Sequence, residues 1–289
     1  MKNLIILLFC LLWTINPSAQ DMPAYSLYNS EGKEVAWKKM VKDLKDADIV
    51  FFGEQHNDPI AHWLEYELFV ALHQEKGKEF IGGAEMFESD NQIILDEYLR
   101  GLIDNKKFEE EARIWPNHVT DYKPVLTYAH DNSIPFIATN VPRRYSNMVF
   151  KGGFEALNNL SIDALKYLAP LPIKFEIELK CYKTMMEMDM GHGFKPDEKL
   201  PKAQALKDAT MAFFILKNLQ AGNLFFHMNG AYHSDNFEGI VWYLKQAKPD
   251  LNIKTITNVS QDEIGKLEDQ YKGKASYVLA VPASMTKTR

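Results

Sequence analysis

Apolar and polar positions alternate along the chain in two distinct ways. Residues 48–53 form a short apolar, β-rich run closed by Gly53, the pattern of a buried strand. Residues 80–84, 134–139, 224–228, 253–257 and 276–281 repeat it, with Pro135 weakening the start of the third run. Between them lie helical patterns. Asp58-Pro59 opens one, with proline in the first turn where its missing N–H costs little, and residues 89–102 and 121–130 carry two more. Strands separated by helices predict an α/β protein with a mostly parallel sheet flanked by helices.

The stretch 143–222 between the third and fourth core strands contains no strand pattern. Its apolar periodicity is helical over 162–168, 175–190 and 203–219, with Pro170, Pro172, Pro196 and Pro201 as punctuation. A parallel crossover needs one helix, so the surplus predicts an inserted helical cap. With no internal repeat and no linker, residues 21–289 read as one domain.

The first twenty residues follow another rule. Lys2 precedes an unbroken apolar run from Leu4 to Trp13, and the segment closes on Ser18-Ala19-Gln20 before Asp21. That is a secretory signal, with cleavage expected after Gln20 and Ala19 as the alternative, leaving an exported, periplasmic or secreted protein. The run is too short for a permanent span, and no later segment suits one, so no transmembrane segment is expected. Cys10 follows bulky Phe9 after a very short apolar run, so a lipid anchor there is not expected. Cys181 is then the remaining cysteine, read as a buried small hydrophobe.

With 33 Lys+Arg against 39 Asp+Glu, the net charge of −6 argues against nucleic acid as a partner, since phosphate neutralisation needs a basic surface. Two cysteines supply neither a disulfide framework nor a four-thiolate zinc site.

Four polar clusters follow four of the predicted strands: Gly53-Glu54-Gln55-His56, Glu85, Asn140 with Arg143, and Gly230-Ala231-Tyr232-His233. Ligands of open α/β sheets bind at the carboxyl ends of strands, so parallel strands would gather these clusters on one rim. Singly, each residue has a plain structural reading: His56 bonded to backbone, Glu85 paired with Arg143, Gly53 and Gly230 easing turns. Together they supply imidazole, carboxylate and guanidinium. Imidazole and carboxylate suit a divalent metal ion, with His56, His233, Glu54 and Glu85 as ligands. Glu54 or Glu85 would then act as general base, with Arg143 stabilising developing charge. His62 and Glu65, at helical spacing among Trp63, Leu64 and Tyr66, read as half-buried helix surface, or as support for the rim.

The motifs Gly53 to His56 with His62, Glu85-Met86-Phe87, Gln92 and residues 95–99 resemble the ChaN-like haem-binding uptake family. So do Trp115, residues 122–124, Asn140 to Arg143, Ala203-Gln204 with Asp208 and Met211-Ala212, and Gly230 to His233. The resemblance covers about residues 48–281. It implies an exported haem-binding protein for iron uptake, with haem as ligand, a homodimer, and an outer-membrane uptake machinery as partner. The wider superfamily includes Tiki-type proteases and erythromycin-esterase-like proteins, whose site uses paired Gly-x-x-His motifs with Glu and Arg. That implies the alternative of a metal-dependent hydrolase of a peptide or ester, with Glu54, Glu85 and Arg143 catalytic. For haem, Arg143 would pair with a propionate. Met185, Met188 and His192 share a helical face in the cap and join Tyr182 as candidate cofactor ligands, with Tyr145 and Tyr232 behind them. Core filler is the plain reading of the methionines.

Overall fold

A computed structural model describes residues 23–187 and 197–288. In chain order its elements are β1 (Ser26–Asn29), α1 (Trp37–Leu44), β2 (Ile49–Glu54), α2 (Pro59–Lys76), β3 (Phe80–Glu88), α3 (Gln92–Leu99), α4 (Asn105–Glu111) and α5 (Lys123–Asp131). Then come β4 (Phe136–Asn140), α6 (Arg143–Gly152), α7 (Ile162–Leu165), α8 (Lys180–Lys183), α9 (Lys199–Asn218), β5 (Leu224–Gly230), α10 (Ile240–Ala247), β6 (Ile253–Gln261) and β7 (Tyr277–Pro282).

The seven strands form one sheet in the order β1-β7-β6-β2-β5-β3-β4, parallel throughout except for β1, which runs antiparallel to β7 at the edge. The expected α/β class and parallel pairing are therefore present. The six expected strands all form, and β4 begins at Phe136, immediately after Pro135. Short β1 is the addition.

Strand side chains alternate between faces. Val50 and Phe52 of β2 join Phe226 and Met228 of β5 in a core covered by α1, α2, α3 and α5. Ile49 and Phe51 turn the other way, with Phe225, onto Met211, Ala212 and Ile215 of α9 and onto α10. The helical stretch 143–222 thus divides. Its last helix, α9, is the crossover that covers the sheet, while α6, α7 and α8 build two smaller cores on α9.

One irregularity matters for the site. β3 and β4 pair regularly up to Ala84 with Ala138, but the next pair is Glu88 with Asn140, so the register shifts by two residues around Glu85. Such bulges re-aim side chains at strand ends. Asn140 Nδ2 donates to the Glu85 carbonyl at 3.0 Å, partnering a group the ladder has released.

Among the described residues no helix is long and apolar enough to cross a membrane. The proposed signal and Cys10 lie outside the described residues, as do Met188 and His192.

Candidate functional site at the carboxyl ends of the strands

β2, β5 and β3 are neighbours in the sheet, so the segments after their carboxyl ends meet. They border a cavity of about 670 Å³ whose lining includes Glu54, His56, Glu85, Arg143, Met185 and His233. The four polar clusters expected on one rim are there. Tyr182 is placed elsewhere: fully buried behind the cavity, its hydroxyl donates to Asp208 Oδ2 at 2.7 Å and is occupied. Tyr145 is buried under the Arg144 guanidinium, whereas Tyr232 lines the cavity.

Two histidine–carboxylate units form the polar floor. In the first, Glu54 Oε1 lies 2.7 Å from His56 Nδ1 and accepts from the Tyr122 hydroxyl at 2.7 Å. The His56 ring packs edge-on to Trp115, with centroids 4.9 Å apart. In the second, His233 Nε2 faces Glu85 Oε1 at 3.1 Å and Nδ1 contacts Asp208 of α9. The other oxygen of Glu85 accepts from the Gly230 N–H at 2.8 Å.

Gly230 is where the two units come closest. A Cβ there would stand 2.7 Å from His56 Nε2 and 3.5 Å from Glu85 Oε2, so glycine leaves the space that lets the imidazole sit beside the carboxylate.

Burial disfavours charge on each of these groups, yet their mutual attraction prevails. The Glu85 carboxyl lies far below the ordinary carboxylate range, held there against burial by His233, Lys207 and His56. His233 is pushed up to about 9, because Glu85 and Asp208 outweigh the desolvation of its charged form. Glu54 is lowered to about 2 by His56 and His62 despite complete burial.

The Glu85–Arg143 ion pair of the plain structural reading does not form; His233 and the Gly230 amide take both Glu85 oxygens. Arg143 stands exposed on the cavity rim at the start of α6, and Lys207 of α9 lines the same cavity. Among the described residues neither has a carboxylate partner within ion-pair distance. Nor do His56, His233, Glu54 and Glu85 converge on one point: they divide into two pairs, and among the described residues the ligand atoms that converge are those of Glu54, His62 and Glu65. The half-buried reading of His62 and Glu65 is corrected as well. Both are buried beneath Glu54, because α2 begins so soon after β2 that its first turns lie under the strand end.

Asp208 and Lys207 were not singled out as site residues. Asp208 entered only as one of the motif residues of the family resemblance, and Lys207 not at all. The available signal is a Lys-Asp pair on a helix that is otherwise buried along most of its length, with Asp208 itself buried.

A parallel sheet bearing paired Gly-x-x-His units at its strand ends, with a glutamate and an arginine on the rim, defines the class. The chain belongs to the family described as haem-binding uptake, Tiki superfamily, ChaN, whose model matches residues 40–244. Its fold is similar to that of ChaN of Campylobacter jejuni, solved with cofacial heme binding, at a TM-score of 0.68 and 18% identity over 88% of this chain and 96% of that one. A mutant of the erythromycin esterase EreC in its open conformation is similar at a TM-score of 0.50 and 8% identity, covering 91% of this chain and 99% of that one. In sequence, the chain is 26% identical over 202 residues to the chloroplastic protein RETICULATA-RELATED 5 of Arabidopsis thaliana. That match takes in 66% of this chain and spans 27% of the plant protein.

Proposed function

We propose that this protein is exported and binds haem in the strand-end cavity as a step in iron uptake. The observation that carries the reading is the pairing of Arg143 and Lys207, two cations without a carboxylate partner among the described residues, with the apolar surface of Trp115, Val141 and Met185 in one cavity. Haem presents that combination in reverse, as a flat apolar macrocycle with two carboxylates. A cavity of about 670 Å³ falls within the usual range for small-ligand sites. Arginine is suited to bidentate carboxylate binding, and Lys207 adds a point charge. Within the cavity, His56, Met185 and Tyr232 are of the side-chain types that haem iron accepts. The family to which the chain belongs and the heme named for the Campylobacter protein support the ligand, and the basic and apolar first twenty residues support export.

Titration of the purified protein with haemin tests this. A saturable Soret change is expected, weakened roughly tenfold in Arg143→Ala and in Lys207→Ala, the order expected for one charged hydrogen bond. A non-saturating titration overturns the reading.

A second reading is favoured by the order Asp208–His233–Glu85. An imidazole between two buried carboxylates can hold and pass a proton, and Arg143 could stabilise an oxyanion, as hydrolysis of a peptide or ester requires. Turnover of ester or peptide substrates that is abolished by Glu85→Gln would favour it.

A further inference from the structure

We propose that Glu54, His62 and Glu65 form a buried site for one divalent cation of the zinc or manganese class, beneath the cavity floor. This site stands apart from the haem reading and can hold whether or not haem binds.

The three side chains each direct one ligand atom into a common space, and these atoms lie within 4.8 Å of one another. His62 and Glu65 are three residues apart on α2 and so share a face, while Glu54 ends β2 above them. His62 Nδ1 is 3.1 Å from Glu54 Oε2 and 3.9 Å from Glu65 Oε2. Two ligand atoms on a tetrahedral ion, each about 2.1 Å from it, stand roughly 3.4 Å apart, so the present spacings bracket the required one.

The far side of the imidazole sets its tautomer. His62 Nε2 faces Asp121 Oδ2 at 3.3 Å and the His56 carbonyl oxygen at 3.2 Å, two acceptors that call for the proton on that nitrogen. Nδ1 then points at two carboxylates, where it carries a second proton in the metal-free protein and offers a lone pair once an ion displaces that proton. A carboxylate behind a histidine is the usual support of a metal ligand, fixing its ring and raising its basicity.

The remaining atoms face one another without hydrogen-bond geometry. Among the described residues, Glu54 Oε2, His62 Nδ1 and both oxygens of Glu65 are buried and make no hydrogen bond. Glu54 Oε1, by contrast, is used by Tyr122 and His56. Unpaired buried carboxylate oxygens are costly, and three converging acceptors need a positive centre among them. A dication balances two carboxylates and a neutral imidazole, and a nitrogen–oxygen set without sulfur suits zinc, manganese or ferrous iron. Glu54 also borders the cavity, which gives the ion a way in. Once bound, the ion would fix the carboxylate that orients His56.

The test uses the purified protein stripped with a chelator, then titrated with Co2+ alone and with Zn2+ alone. One equivalent of Co2+ should bind with visible absorption of a low-coordinate nitrogen–oxygen site, and Zn2+ should displace it and raise the melting temperature. His62→Asn and Glu65→Gln should each weaken Co2+ binding at least tenfold, and Asp121→Asn should weaken it about 10- to 100-fold through the ring it supports. His233→Ala should retain the Co2+ spectrum. Absence of stoichiometric Co2+ and Zn2+ binding overturns the proposal and leaves protons in the ion's place. Binding that survives in folded His62→Asn and Glu65→Gln, or that is lost in His233→Ala alone, overturns it equally.

Discussion

Glu85 Oε1 lies 3.1 Å from His233 Nε2, although 148 residues separate the two in the chain. Sheet order and a local irregularity bring them together. β3 and β5 are adjacent, and the register shift after Ala84 turns the Glu85 side chain towards the Gly230 amide and the turn that carries His233. Asp208 on α9 closes the arrangement from the opposite face of the imidazole. Three elements far apart in sequence therefore hold one buried ring between two carboxylates.

That pair should make stability depend on pH in both directions. His233 rises from an ordinary value of 6.5 to about 9, so its contribution is complete below pH 6.5 and is lost as pH climbs through 9. Glu85 falls below its ordinary 4.5, so its contribution is complete above pH 4.5 and is lost on further acidification. Melting temperatures should be highest between those limits and decline towards pH 9. In His233→Gln the alkaline decline should flatten, and a decline as steep as in the parent protein would contradict the assignment.

Gly230→Ala should separate function from folding. The added methyl group meets the tip of His56, a side chain that is 43% exposed and free to swing outwards. The melting temperature should therefore change little, while ligand binding in the cavity falls because His56 has left its place beside Glu85. A large loss of stability with binding intact would show that the close approach is not relieved by His56.

Removing the Tyr122 hydroxyl should act on stability. This ring is completely buried, and its O–H donates to an ionised carboxylate at 2.7 Å. Hydrogen bonds to charged groups contribute about 1.5–3 kcal/mol, and Tyr122→Phe should lower the unfolding free energy in urea by that order.

Asp208→Asn should be felt at His233. The aspartate accepts from the Tyr182 hydroxyl and contacts His233 Nδ1, so neutralising it removes one of the two charges that keep the imidazole protonated. The His233 titration, followed by NMR, should move towards the ordinary histidine range. An unmoved titration would assign the shift to Glu85 alone.

Legibility in the sequence followed burial. Strands β2, β3 and β5 lie inside the sheet and are apolar on both faces, so each announces itself as a continuous run. β1 is four residues long, lies at the edge and is half-buried at both ends, too little to stand out from a loop. The rim residues Glu54, His56, Glu85, Arg143 and His233 were legible because strand ends are where polar residues interrupt apolar runs. Which carboxylate meets which imidazole was not. The Glu85 pairing depends on a register shift, and the burial of Glu65 depends on how closely α2 follows β2, and neither leaves a local mark. Helix α9 read as part of a cap because its periodicity shows an apolar face without showing what covers it.

The place of β5 in the sheet bears on how the chain acquires its shape. β5 stands between β2 and β3 but is the fifth strand to leave the ribosome, after α9. Until it arrives, β2 has neither of its sheet neighbours, β5 and β6, and only β3 and β4 can pair, so Glu54 and Glu85 have no floor between them. Pairings of such long sequence separation form slowly, because loop-closure entropy is spent before the contact is made. A chain arrested before β5 thus carries β2 with both edges open and a β3–β4 pair with an open edge on β3, a form that a chaperone can hold.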